Sequence, residues 1–393
     1  MNKQVFFILI GAGLFITNKA TADVMNVVRD SPYRCHSEEK HCIKIINERR
    51  EWCFTNDNGF NFKLPCNYDI DCINTVDCIT LSNNSADNNR PFGSPPIKTF
   101  ASSISHYSYD DNSKVGPQNW HKIYRSCQSS SDKFQSPINI KTKGTTRMQE
   151  WKPVIISFPS PSTPFKDAVL ENNGNVLKLL NIDPPLTLEA AGLVNRFVLH
   201  EVHFHFGCES DRGSEHHING KKYPLEVQFV FWDNVDFRSY EHAKNRKRPT
   251  NKSAFEDPFR NGLAIVAVLF DEDDLIQTSE NFKIFNKAIN EIGSKPKGKY
   301  AITSNLAEIL QTFLPDDIKE GHNYFFKYRG SLTAPPCLET VDWFVLPNCC
   351  KLKVPTEFLV TLRQLRSNLN NANMELCDNF RPIQERTNEE VFW

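Results

Sequence analysis

With 393 residues, 46 Lys and Arg against 47 Asp and Glu, and a formal net charge of -1 at pH 7, the chain carries no broad basic field for nucleic acid and no acidic tail. Hydrophobic residues make up 39% of it and phenylalanine alone numbers 29, so it can bury a core. Its length suits one large domain plus a smaller one.

The N-terminus reads as an address. Lys3 supplies a positive charge, the apolar run Val5 to Ile16 is too short to span a bilayer comfortably, and Ala20-Thr21-Ala22 matches a small-residue cleavage site. Residues 1–22 are therefore expected to be a secretory signal peptide, with no membrane anchor after it and a secreted, extracellular destination. All 12 cysteines follow that segment, which suits an oxidising compartment and disulfides. Cys35, Cys42, Cys53, Cys66, Cys72 and Cys78 make residues 23–80 a Cys-rich N-terminal segment, and spacing does not choose their pairing. Residues 81–104, dominated by Asn, Ser and Pro, read as a linker. Asn83 and Asn251 head sequons and are glycosylation candidates, and both belong on the surface of a secreted protein.

From about residue 105 the texture changes. Short runs rich in Val, Ile, Leu and Phe recur between turn signals: Ala168 to Leu180, Arg196 to Gly207, Pro224 to Trp232, Gly262 to Phe270 and Asp342 to Leu346. Asn172-Asn173-Gly174 is expected to turn between two strands. Helical periodicity is best over Asn281 to Gly293 and next best near Phe358. The expectation is a mainly β domain over 105–385, one large mixed sheet with peripheral helices, followed by a C-terminal tail, 386–393. The acidic run Asp271 to Asp274 reads as a solvated loop, and Lys244 to Pro249 as an exposed basic one. Cys208, Cys349, Cys350 and Cys377 are candidates for further bridges.

Within "VHFHFG", His203 and His205 are two apart, so on a strand they share a face and can converge on one ion. A catalytic zinc takes three protein ligands and keeps one position for water. The run Leu225 to Trp232 would place Glu226, Gln228, Val230 and Trp232 on one face. A Glu and a Gln two apart on a buried strand need polar partners, which suits a ligand position with a supporting carboxylate. Parity places His200 on the face opposite His203, so it offers no substitute ligand.

These residues carry a resemblance. "GPQNWHKIY", "QSPINI", "VHFHFG", "GSEHHING", "GSLTAPPC" and "DNFRP" occur in an order that resembles the α-class carbonic anhydrases, over about Tyr107 to Pro382. The resemblance implies a twisted, mostly antiparallel ten-stranded sheet with a zinc pocket, and CO2 and bicarbonate as substrate and product. By position, His203 and His205 match two zinc ligands, and Gln228 stands where the family has its third histidine. Glu226 matches the carboxylate that orients that histidine, and Glu201 stands where a Gln usually supports the first ligand. Thr333 and Glu215 match the pair that orients the zinc-bound hydroxide, with Ala334 in place of a frequent second Thr. Val230, Ile265, Leu332, Val341 and Trp343 match the apolar substrate wall. Asn175 occupies the proton-shuttle position, where an amide cannot carry a proton near neutral pH. Cys127 and Cys337 match the disulfide of secreted members.

A carboxamide oxygen is a poorer zinc donor than an imidazole nitrogen. Zinc is therefore expected to be weakly held or absent, and CO2 hydration impaired or lost. In that case the chain would serve as an extracellular binding or biomineral matrix protein, resembling the nacrein-like proteins of molluscan shell, with matrix components as partners. The other reading is an active zinc-dependent carbonate dehydratase of weakened metal affinity.

Overall fold

The computed structural model describes residues 107–393 except 131–132, 148–151, 246–260, 294–297, 348–351, 368–373 and 387–389, together with four strands nearer the N-terminus. The signal peptide, nearly all of the linker and both sequons lie outside the described residues. The chain divides into two compact units, Met1–Ser103 and Ile104–Trp393. In the first, β1 (Ile43–Asn47), β2 (Arg50–Asp57) and β3 (Phe60–Pro65) form an antiparallel meander, and β4 (Ile79–Leu81) lies parallel beside β1.

The second unit is mainly β. Its strands are β5 (Asn139–Ile140), β6 (Ile155–Ser157), β7 (Ala168–Asn172), β8 (Leu177–Leu180), β9 (Thr187–Glu189), β10 (Phe197–Phe206), β11 (His217–Ile218), β12 (Leu225–Trp232), β13 (Leu263–Asp273), β14 (Lys299–Ile302), β15 (Phe326–Gly330), β16 (Val341–Leu346) and β17 (Lys353–Pro355). Eleven of them make one sheet, whose main path runs β14-β7-β8-β10-β12-β13-β16-β15, with β6, β9 and β17 at its margins. Its pairs are antiparallel except β13 with β16 and β13 with β17. The sheet holds one strand more than the resemblance implies, and its marginal members β6, β9 and β17 are three residues long. Asn172 to Gly174 do turn between β7 and β8, with Gly174 at φ 93°, a conformation in which a side chain would clash with its own backbone.

Alternation divides the central strands between two faces. Val202, Phe204 and Phe206 of β10 and Val227, Phe229 and Phe231 of β12 enter the main core. Among the described residues the α-helices are α1 (Trp120–Ile123), α2 (Tyr240–Lys244), α3 (Glu280–Ile292), α4 (Leu306–Thr312) and α5 (Thr356–Arg363). Ser279 caps α3 by accepting from Phe282 N, and the buried stripe Phe282, Phe285, Ile289 and Ile292 has the helical spacing that seats it on the core. Phe204 meets Phe285 and Phe313 at ring-centroid distances of 5.3 Å each. The opposite face carries a second cluster, including Val230, Ile265, Val341 and Trp343.

The expected tail is part of the domain. Phe392 exchanges two backbone hydrogen bonds of 2.8 Å with Lys327 of β15, and Thr146 N donates to Val391 O at 2.8 Å. Val391 is buried in the second cluster, so an apolar side chain between two strand edges holds what composition alone marks as a loose end. Among the described residues, disulfides join Cys127 to Cys337 and Cys208 to Cys377.

Candidate functional site

Register assembles the site. On β10 and β12, His203 lies opposite Gln228 and His205 opposite Glu226, while β8 sets Lys178 opposite His203 on the other side. Glu201, His203, His205, Gln228 and Val230 all line a cavity of about 250 Å³. His200 lines it too, against the parity expectation. The pairing slips between Leu199 and Glu201, and this one-residue bulge brings His200 and Glu201 to the same side. His200 there stacks on Tyr240, centroids 3.7 Å apart.

The loop after β10 delivers Glu215 and His216. At Gly213, φ is 149° and a Cβ would overlap the Pro224 carbonyl oxygen, so only glycine lets the loop close against that backbone. Ser214 holds the turn: its hydroxyl donates to His216 O at 2.7 Å and accepts from Tyr223 N at 3.0 Å.

Gln228 is enclosed in a carboxylate network. Its Nε2 donates to Glu215 Oε2 at 2.8 Å and to Glu226 Oε1 at 2.9 Å. Both partners are pure acceptors when ionised, which fixes the amide's orientation and engages both of its N–H groups. Glu226 also accepts from His216, through Nδ1 and the backbone N–H at 2.8 Å each, and His216 Nε2 meets the Tyr328 hydroxyl at 2.6 Å. Burial pushes the Glu226 carboxyl up, but His216 and these hydrogen bonds outweigh it and hold the group ionised, well below the usual carboxylate range. Glu215 Oε1 accepts from Arg381 N at 2.9 Å. Among the described residues, no hydrogen bond joins Thr333 to Glu215, whose two oxygens accept from Gln228 Nε2 and Arg381 N.

The two imidazoles differ. His205 Nδ1 donates to Asn379 O at 2.7 Å, and its Nε2 is buried without a hydrogen-bond partner, 3.7 Å from Glu215 Oε2. His203 Nε2 sits 2.8 Å from Glu201 Oε1, in contact but not aligned for a hydrogen bond. Lys178 Nζ donates to both Glu201 oxygens at 3.1 Å. Burial pushes the Glu201 carboxyl up, yet Lys178 and His203 hold it well below its ordinary value. Burial, with Lys178 adding to it, pushes His203 down to about 4, so the ring is neutral near pH 7.

This donor set does not fit a zinc ion. Two imidazoles on one tetrahedral zinc have ring centroids ~5 Å apart, given Zn–N of about 2.0–2.1 Å. The His203 and His205 centroids are 6.3 Å apart. Gln228, expected at the third position, presents a carboxamide, whose oxygen is a poorer zinc donor than an imidazole nitrogen. Among the described residues, the one group of three His, Cys, Asp or Glu ligand atoms within 4.8 Å of one another is Cys208, Glu375 and Cys377, and its two sulfurs are bonded to each other.

The remaining expected positions divide. Thr333, Val230, Ile265 and Leu332 line the cavity. Val341 and Trp343 are fully buried in the same apolar cluster as Val230 and Ile265, with Trp343 Nε1 donating to Ser331 O at 3.0 Å. Asn175 is buried, and its Nδ2 donates to Tyr107 O at 3.2 Å. Sequence reasoning passed over Lys178 and Asn379. A lone Lys in the apolar run Leu177–Leu180 was the signal for the first, while the second acts through a backbone carbonyl that any residue carries.

A family model described as eukaryotic-type carbonic anhydrase matches residues 115–393. Similar known proteins include carbonic anhydrase 6 of Mus musculus, 30% identical over 276 residues, which is 69% of this chain and 76% of that protein. Carbonic anhydrase 1 of Monodelphis domestica is 29% identical over 66% of this chain and 87% of its own. Carbonic anhydrase 3 of Homo sapiens is 27% identical over 70% and 94% respectively.

Proposed function

Because the chain belongs to the eukaryotic-type carbonic anhydrase family, we propose that it is a secreted carbonic anhydrase-like protein whose CO2 hydration is lost or strongly impaired, and that it acts outside the cell as a binding or matrix protein. The observation that carries this reading is the Gln228 side chain. Its amide is locked between Glu215 and Glu226, which removes a third imidazole from the metal position and ties up the carboxylate that would otherwise orient a nucleophile through Thr333. Zinc is accordingly held weakly. The apolar wall of Val230, Ile265 and Leu332 is kept, so a cavity suited to a small apolar or weakly polar ligand outlives the chemistry. The apolar N-terminal run and the disulfides support secretion, and among the described residues no helix is long and apolar enough to cross a membrane.

The test is metal content of the untreated full chain by mass spectrometry, with stopped-flow CO2 hydration before and after zinc addition. Substoichiometric zinc and no turnover above buffer are expected. Gln228→His should raise zinc affinity by at least about tenfold, since even changes around a ligand alter affinity by that much. One zinc per chain with rapid hydration in the unaltered protein sinks the reading.

A further inference from the structure

Gln228 is not the whole obstacle to a metal. We infer that Lys178 and Glu201 form a positioning pair that holds His203 away from metal duty, so that the site is disabled twice. This deepens the reading of Gln228 and rests on it. Three observations carry the inference. Glu201, two residues before His203 on β10, shares its cavity-facing side, and Oε1 lies 2.8 Å from His203 Nε2. Lys178, directly opposite His203 across β8 and β10, clasps both carboxylate oxygens at 3.1 Å and so holds Glu201 in place. The pair is largely out of water, with the two side chains 22% and 9% exposed, so little solvent screens it. A carboxylate oxygen held 2.8 Å from Nε2 crowds the nitrogen whose lone pair a metal needs. The two imidazole centroids stand 6.3 Å apart, wider than the ~5 Å at which two imidazoles meet one tetrahedral zinc.

A rival role for the same residue is direct ligation, with Glu201 standing in for the missing histidine. The two roles predict opposite signs. Full-length Gln228→His, Glu201→Gln and Gln228→His/Glu201→Gln proteins would be titrated with zinc at equilibrium, and their cobalt(II) visible spectra recorded to read the coordination geometry. The expected result is zinc binding about 10–100-fold tighter in the double variant than in Gln228→His, the range typical of groups that orient a ligand. The intense bands of a four-coordinate cobalt site should appear in the double variant and be weaker in Gln228→His. Equal affinities in these two proteins overturn the inference and leave the reading of Gln228 standing. Weaker binding on adding Glu201→Gln overturns it in favour of ligation. Should Glu201→Gln fold poorly with Lys178 unpaired, Lys178→Gln/Glu201→Gln in the Gln228→His background makes the same comparison with the charge balanced. Stoichiometric zinc in the unaltered chain overturns both readings at once.

Discussion

Glu226 shows how far one side chain governs this site. It is fully buried and serves His216 twice and Gln228 once, so its removal strands an imidazole and an amide away from water. Glu226→Ala is expected to lower unfolding stability by about 3–5 kcal/mol, the usual penalty for breaking a buried pair from one side, as urea titration would measure. The importance of this residue was legible in the sequence, because a Glu and a Gln on a buried strand must find partners. So was the placement of His203 and His205, since a two-residue period suffices to put them on one face. His200 was not legible. A bulge is one extra residue in a strand, it leaves no compositional mark at this position, and it reverses every parity argument that crosses it.

At the scale of elements, β10 is the hinge between core and cavity. Its even-numbered residues from Val202 to Phe206 face the aromatic layer on α3 and the segment after α4, and its odd ones face the pocket. Phe204 is fully buried against Phe285 and Phe313, so Phe204→Ala should cost about 3–5 kcal/mol of stability in urea unfolding. The same variant should loosen the pocket, because the strand that bears both imidazoles loses its anchor. The long strands and α3 were readable from their period, with α3 ending at a glycine, Gly293, as its sequence suggests. Val341 and Trp343 lie on β16, one strand beyond β13, in the same apolar cluster as Val230 and Ile265.

At the scale of the whole molecule, acid is the natural stress. Burial pushes His217 down to about 4, with Lys222 and His216 adding to the effect, and His203 is pushed to a similar value. Between about pH 6.5, where an unfolded histidine titrates, and about 4, the unfolded chain binds protons that the folded one refuses. Stability from these groups is therefore complete above about pH 6.5 and is lost as pH falls toward 4. Thermal melts across that interval should show a declining midpoint, and His217→Gln should flatten the slope. The overall architecture was legible because several short blocks fell in one order. The packed end of the chain was not, because a three-residue strap held at two strand edges has no period to detect. The Asn379 carbonyl that sets the tautomer of His205 lies 174 residues further along the chain, and Arg381, which steadies Glu215, comes later still. A ribosome delivers His205 long before either arrives. The nascent polypeptide must therefore carry an open, half-made floor through most of its synthesis, and the Cys208–Cys377 crosslink is within reach of an oxidising folding catalyst only once that late segment has emerged.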